Sequence, residues 1–591
     1  MNQVKIKNNV FFLWIPYLVF FAGSFIYFGF FGDYEFFYQE KSSLFIFSSD
    51  FLYENLHQPG GLLVWLAKFF STFYYYPIAG ALILSSILTF NILLVSGIML
   101  LLKGKSSSII AFLIGVALFF LQTDYRFLLL NSIGLLLQLL LFWILIRNSN
   151  FLKGWTPVIV APLWFYATGG FAWVFMLLSS FYFAFDKGKK GWIRLIVLWC
   201  LGLLALNIFK EYLFFQNVKT LLTFPFSDLN TGSQKILFLS ITGIISILPI
   251  ISIIRLRVPD KIRIPAFTGN VIGSIILIII LVIIGIRRFD NKTKQYFHVE
   301  NLFYQNKLNE VIDFNTSNPP TNLLTIFLNN IALCESGKLD DMLFHFPQDR
   351  DGKTLFLKWD LAREVLNRGG YFYYTVGMIN EAHRWAFENM VMKGYSPEGL
   401  KMLIKTELIN ANYEVASRYI NLLKKTLFYK EEAKSFEKLL FDDAAVIRDK
   451  DLGARRINKV ENDFFSITDN PYINIEMILA SDSLNKKAFE YKIAFMLLQK
   501  NYKGIMHELP EFYKFGYSRF PVHVEEAALA IAVSNKDRLP DVGKLQISKN
   551  TDLRWKQFLT VLGQYGNNIK SAEPLLRKQF GDTFWYYVFY R

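Results

Sequence analysis

The residues best placed to do chemistry form a short run, Gly32-Asp33-Tyr34-Glu35-Phe36-Phe37-Tyr38-Gln39-Glu40, directly after the apolar stretch Phe11–Phe31. Two acids two residues apart where a chain leaves a membrane are an unusual arrangement. A carboxylate there can take the proton of an attacking hydroxyl or hold a divalent metal through oxygen ligands. Glu40 reads instead as a loop acid that caps an interfacial helix. A second polar turn, Thr123-Asp124-Tyr125-Arg126, carries charges that would each cost about 2.5–3.5 kcal/mol at a bilayer centre, so Asp124 and Arg126 belong at an interface. A local ion pair or a lipid headgroup accounts for them as readily as a site does. Lys210 and Glu211, just past another apolar stretch, are further candidates, whereas Arg287 and Arg288 are expected to snorkel to lipid phosphates. His57 is the only histidine before residue 290, and beside Pro59 a structural role suits it better than a catalytic one.

Other chemistries lack their motifs. His507-Glu508-Leu509-Pro510-Glu511 has no second zincin histidine, and Pro510 would break the helix that motif needs. There is no phosphate loop ending in Lys-Ser or Lys-Thr and no Gly-x-Gly-x-x-Gly run, so ATP-driven transport and nicotinamide chemistry are unsupported. Cys200 and Cys334 are the only cysteines and make no disulfide framework. A net charge of +15 might suggest nucleic acid, but many cations sit in short loops between apolar stretches, the pattern that orients a membrane protein. No nucleic-acid partner is expected.

The elements that must position these residues follow from hydropathy. The 591 residues are 53% hydrophobic and 17% aromatic. That load is concentrated before about residue 286. Nine spans are expected: Phe11–Phe31, Ile78–Leu102, Ile109–Leu121, Phe127–Ile146, Pro157–Ala167, Phe171–Phe185, Trp192–Phe209, Ile236–Ile254 and Val271–Ile286. The first is too long, and too lacking in a small-residue cleavage site, to be a removable signal. Charge decides whether Thr168-Gly169-Gly170 is a hairpin tip or the middle of one helix. With a hairpin, one side receives Lys5 and Lys7, Lys103 and Lys105, Arg147 and Lys153, Lys187 to Arg194, then Arg255 to Arg263. By the positive-inside tendency that side is the cytoplasm. The N-terminus is then cytoplasmic, and everything after Ile286 lies outside, in the periplasm of a diderm bacterium. The outer loops, Gly32–Tyr76, Thr123–Arg126 and Lys210–Lys235, should lie near one another.

Residues 291–591 show apolar positions at three- and four-residue spacing without sustained alternation, which predicts an all-α domain. Helix-pair signals recur at Ser336-Gly337-Lys338, Asn410-Ala411-Asn412 and Gln499-Lys500-Asn501. The middle one is similar to a tetratricopeptide repeat, so a TPR-like α-solenoid is expected, with a helical lid as the alternative. The expected organisation is a polytopic membrane domain over 1–290 followed by this soluble domain over 291–591.

The acids after the first span, the outer loop of amphipathic helices and the stretch His57-Gln58-Pro59-Gly60-Gly61-Leu62-Leu63-Val64-Trp65-Leu66 together resemble the GT-C superfamily of membrane glycosyltransferases over roughly residues 10–290. The resemblance implies transfer of a sugar or oligosaccharide from a polyprenyl-phosphate-linked donor to an acceptor outside the membrane, plausibly a protein presented by the solenoid, with inversion at the anomeric carbon. It implies Asp33 as base or metal ligand with Glu35 as its neighbour, Asp124 joining Asp33 around a divalent ion such as Mg or Mn, and Arg126 or Lys210 facing the donor phosphate. Many members have consecutive Asp-Glu here, so which acid is catalytic stays open between Asp33 and Glu35. The whole chain, with Pro521-Val522-His523-Val524-Glu525-Glu526-Ala527 and the terminus Thr583-Phe584-Trp585-Tyr586-Tyr587, also resembles a family of Bacteroidota multi-pass membrane proteins. The rival expectation is a noncatalytic envelope scaffold. A lipid-linked-substrate transporter is disfavoured by the scarcity of ionisable residues within the spans.

Overall fold

The computed structural model describes residues 2–102, 107–148, 154–185, 189–225, 232–253, 266–359, 363–459, 470–535, 545–566 and 568–591. Every regular element among them is helical. The basic positions Lys103, Lys105, Lys153, Lys187, Arg255, Arg257, Lys261 and Arg263 lie outside the described residues. The chain divides into two compact units, one of Met1–Asp290 with Lys425–Phe428 and one of Asn291–Lys424 with Tyr429–Arg591.

Among the described residues the segments expected to span a membrane lie mainly in helices. Six apolar stretches are long enough to cross one: Leu13–Phe31, Pro77–Leu101, Leu129–Arg147, Thr156–Ala184, Lys190–Leu213 and Thr268–Arg288. Ser108–Gln122 and Gln234–Ser246 are apolar but shorter. Within Thr156–Ala184 the helix ends at Thr168, because Gly169 takes φ +58°, and a new helix runs from Ala172 to Ala184. The two halves pack on each other and on Lys189–Ile208. Thr168–Gly170 is therefore the tip of a hairpin.

That tip is fastened by backbone to the segments at Gly60 and Phe224. Gly60 N–H donates to Tyr166 O at 3.0 Å, and Gly170 N–H donates to Phe224 O at 2.8 Å. A Cβ at Gly169 would stand 2.6 Å from Phe224 O, and one at Gly60 only 2.8 Å from Gly169 N, so the approach needs glycine on both sides. Between the apolar helices neutral polar side chains bridge where charges would be costly. Gln122 donates to Ser132 at 2.8 Å, Trp164 to Gln138 at 2.7 Å and Tyr17 to Ser96 at 2.9 Å. The apolar core of this unit runs from Phe20 and Phe28 through Leu88, Phe119 and Phe142 to Phe175.

In the second unit one turn recurs. At Asn306, Gly337, Ala411, Lys500 and Gly516, two residues past a helix end, and at Gly377, directly past one, the chain takes a positive φ. The next N–H then reaches back five residues, as in Lys338 to Leu333 O at 2.8 Å, Asn412 to Glu407 O at 2.9 Å and Asn501 to Met496 O at 2.9 Å. This Schellman closure satisfies the last carbonyls and reverses the chain into the next helix. The three helix-pair turns read from sequence all take this form. The helices from Arg363 to Glu437 each pack on the next. Lys486–Leu498 departs from a strictly serial stack. It is buried on nearly every face and touches Leu323–Glu335, Leu339–Met342 and Arg363–Val376. The carboxyl end is pinned by Glu526, which accepts from Phe584 N–H at 2.7 Å and pairs with His523 at 2.9 Å.

Candidate functional site in the first unit

The first apolar helix does not end in an ordinary turn. Tyr27–Phe31 is wound as a π-helix, with Gly32 N–H donating to Tyr27 O at 2.8 Å, and the next helix, Asp33–Ser42, starts at once. Such insertions often mark functional positions. The abrupt restart puts Asp33 and Glu35 in a first turn, near the partial positive charge of the helix terminus. It also drives Glu35 inward, to 2% exposure, while Asp33 stays half-buried.

Among the described residues neither carboxylate oxygen of Glu35 has a hydrogen-bond partner, and the hydroxyls of Tyr27 and Tyr74 are likewise buried without one. The Tyr27 hydroxyl faces Glu35 just outside full hydrogen-bond geometry. Burial holds the Glu35 carboxyl well above the usual carboxylate range. The charges of Asp124 and Asp33 push the same way, and Arg288 opposes them. Tyr74 and Tyr34 are raised by burial and by Glu35. Tyr34 O–H accepts from Asp290 N–H at 3.3 Å, which ties this helix to the residues after the last apolar helix.

The turn carrying Asp124 is clamped to the same helix by Gln39. Its amide accepts from Leu129 N–H at 3.1 Å and donates to Phe127 O at 3.2 Å, and Tyr38 packs edge-on to Tyr125 at 4.7 Å. Asp124 Oδ2 accepts from the Gln234 amide and from Arg288 at 3.3 Å, and Oδ1 accepts from Arg126 N–H at 3.0 Å. Arg288 also donates to Thr123 Oγ1 at 3.1 Å and lies over the Phe120 ring. Residues from the helix Asp33–Ser42, the turn Thr123–Arg126, the start of Gly232–Ser246 and the last apolar helix thus converge on one polar centre.

Sequence reasoning named Asp33, Glu35 and Asp124, and the fold brings these three together. Arg288 corrects the expectation of snorkelling, since it turns to Asp124 and Thr123. Gln234 and the three tyrosines carried no motif at all. The side chains of the remaining candidates find partners elsewhere, and only the backbone of Arg126 reaches Asp124. Arg126 is exposed, with its guanidinium donating to Tyr125 Oη at 2.9 Å. Lys210 and Glu211 pair with each other at 2.6 Å on the exposed π-turn Phe209–Leu213. His57 is an exposed helix end whose Nδ1 lies 2.7 Å from Tyr53 O.

The donor set does not fit a divalent ion as it stands. Asp124 is already taken up by a guanidinium and two N–H donors, and among the described residues no group of three or more acidic, histidine or cysteine side chains is arranged to hold a metal. Arg288 supplies the positive charge at this centre.

Long apolar helices, a broken-helix hairpin and a second unit of Schellman-linked helices define an all-helical protein with the material to cross a membrane several times. The chain belongs to the family described as a family of unknown function, DUF6057, whose family model matches residues 8–591. No curated protein and no solved structure matches it.

Proposed function

We propose that this protein is a membrane glycosyltransferase of GT-C type in a bacterial inner membrane, with its N-terminus cytoplasmic and its second unit periplasmic. It moves a sugar or oligosaccharide from a polyprenyl-phosphate-linked donor to an extracytoplasmic acceptor. The observation that carries this reading is Glu35, a buried carboxyl with two unpartnered oxygens beside the Asp124–Arg288 pair. A carboxyl raised above its usual range is a stronger base than a solvated one, and an unfilled acceptor is what an incoming hydroxyl needs. The acceptor oxygen attacks the anomeric carbon as its proton passes to Glu35, with Asp33 alongside. The bond from that carbon to the phosphate oxygen breaks, its electron pair leaving with the phosphate, which Arg288 stabilises. The apolar helices shelter the polyprenyl tail, and a solenoid-like second unit presents the acceptor.

The test compares lipid-linked sugars and envelope glycoproteins in wild-type, deletion, Glu35→Gln, Asp33→Asn and Lys210→Ala strains, with membrane levels of the protein matched. Loss of an envelope glycan with accumulation of its lipid-linked precursor in deletion and Glu35→Gln, but not in Lys210→Ala, supports the transferase. A deletion phenotype with wild-type behaviour of both acid variants removes the catalytic reading and leaves a noncatalytic envelope scaffold.

A further inference from the structure

A cavity of about 80 Å³ lies wholly within the second unit, lined by side chains of the helices between Asn291 and Ile457. Lys401, Lys405, Glu432 and Asp451 line it, beside the half-buried rings of Tyr304 and Tyr371. The charges form two chains. In one, the Lys401 ammonium stands 2.8 Å from Glu398 and 3.3 Å from Glu432. In the other, Lys405 stands 2.8 Å from one oxygen of Asp451, Arg455 lies 2.7 Å from the other oxygen, and Arg455 also reaches Glu335 at 2.5 Å. The side chains of Glu432, Lys405 and Asp451 line the cavity with part of their surface open, at 40, 30 and 29% exposure.

Ion pairs half withdrawn from water stabilise little, because lost hydration offsets the attraction, so the fold alone gives small reason to gather them here. Their hydrogen-bonding capacity is also incompletely used. Lys401 spends two of its three N–H groups on its carboxylates, and Lys405 has Asp451 as its single ion-pair partner among the described residues. Glu432 meets Lys401 through Oε1. A carboxylate carries about four lone-pair sites, so an acceptor is open beside each spare donor.

We infer that this cavity binds a neutral sugar ring. A hydroxyl is donor and acceptor at once, so it bridges an ammonium and its carboxylate without separating them. Lys401 with Glu432, and Lys405 with Asp451, offer two such bridges to the hydroxyls of one ring. Tyr304 and Tyr371 offer apolar ring surface for its C–H groups. The charge balance favours a neutral ligand. Three cations on the wall, Lys401, Lys405 and Arg455, face four acids, Glu335, Glu398, Glu432 and Asp451. An anion meets surplus negative charge, and a cation finds these acids already paired, whereas a hydroxylated ring leaves every pair in place. One water takes about 10–15 Å³ of such space, so the volume suits a single ring rather than a chain. The inference stands apart from the transferase reading: either can fail while the other holds.

The full-length protein, in a detergent without a sugar head group, is titrated calorimetrically with glucose, mannose, galactose and N-acetylglucosamine, and with glucuronate, glycine and inorganic phosphate. At least one neutral sugar should bind saturably and in preference to its epimers, and the charged ligands should not bind. Sugars also act on proteins by exclusion from the surface, but that effect neither saturates nor distinguishes epimers. Cellobiose and chitobiose identify the source: tighter binding than the corresponding single sugar points to a unit of a longer glycan, and equal or weaker binding to a free sugar. Lys405→Met and Glu432→Gln, both at partly exposed positions, should each weaken binding by at least about tenfold, the loss of one hydrogen bond to a charged group, with little change in the ligand-free Tm. Absence of saturable binding by every neutral sugar, binding that ignores epimers, tighter binding of glucuronate, glycine or phosphate, or sugar binding that survives either substitution would overturn the assignment.

Discussion

The Arg288 guanidinium stands 3.3 Å from the Asp124 carboxylate, closing a contact between residues 164 apart in the chain. It links the end of the last apolar helix to a four-residue turn between two others. Because Gln39 clamps that turn to the helix carrying Glu35, the ion pair also sets the electrostatic surroundings of the buried acid.

Removing one partner should therefore cost more than an exposed pair would. Asp124→Ala strands the partly buried Arg288 and the Gln234 amide, and a loss of about 1–2 kcal/mol is expected. Lys210→Ala breaks a closer but solvent-exposed pair and should change stability by less than about 0.5 kcal/mol. Thermal unfolding in detergent measures both, and equal effects would contradict the assignment of Arg288 to the centre.

Glu35→Gln should separate stability from function. The Glu35 carboxyl is held above its unfolded range, so the native state keeps a proton that the unfolded chain gives up. Its contribution is present at low pH and is lost as pH rises through the folded value. The glutamine variant lacks that slope, so above neutral pH it should unfold at the same temperature as wild type or higher, while transfer activity falls. A variant markedly less stable at pH 8 would mean that the carboxylate has structural partners.

Hydropathy sufficed for the helices, and loop charge for the hairpin, because both follow from the energy of placing side chains in hydrocarbon. The Schellman turns were legible for a local reason, since a small or polar residue between two helical patterns signals a positive φ. The candidate site was legible only in its acids. Asp33, Glu35 and Asp124 stand out by type in an apolar context. Arg287 and Arg288 are indistinguishable in sequence, and a rotation of about 100° per helical residue decides which one turns to Asp124. Lys210 and Arg126 are placed otherwise for the opposite reason: a charge beside a span is equally well satisfied by a neighbour one residue away, as the side chains of both are.

Ala411 tests the turn argument directly. It holds φ +61° at a position where a Cβ is disfavoured by about 1–2 kcal/mol and where Gly337 and Gly377 stand in the equivalent turns. Ala411→Gly should stabilise the second unit by about 1 kcal/mol, seen as slower hydrogen exchange across Pro397–Lys424. Faster exchange there would show that the alanine methyl makes contacts outweighing the strain.

Glu490 gives the sharpest pH dependence. Burial pushes its carboxyl up to about 7, against the opposing influence of Lys486, the Tyr517 hydroxyl, Cys334 and Lys487. Asp340 beside it is raised as well, so the two titrate as a pair. A folded value above the unfolded one means that protons are bound on folding, so the stabilising contribution is complete below about pH 4.5 and is lost as pH rises to about 7. At about 1.4 kcal/mol per pH unit this comes to roughly 3 kcal/mol across the window. Stability of the second unit, followed by hydrogen exchange in Lys486–Leu498, should fall over that range in wild type and fall less in Glu490→Gln. A flat wild-type curve would mean that Glu490 is paired in solution.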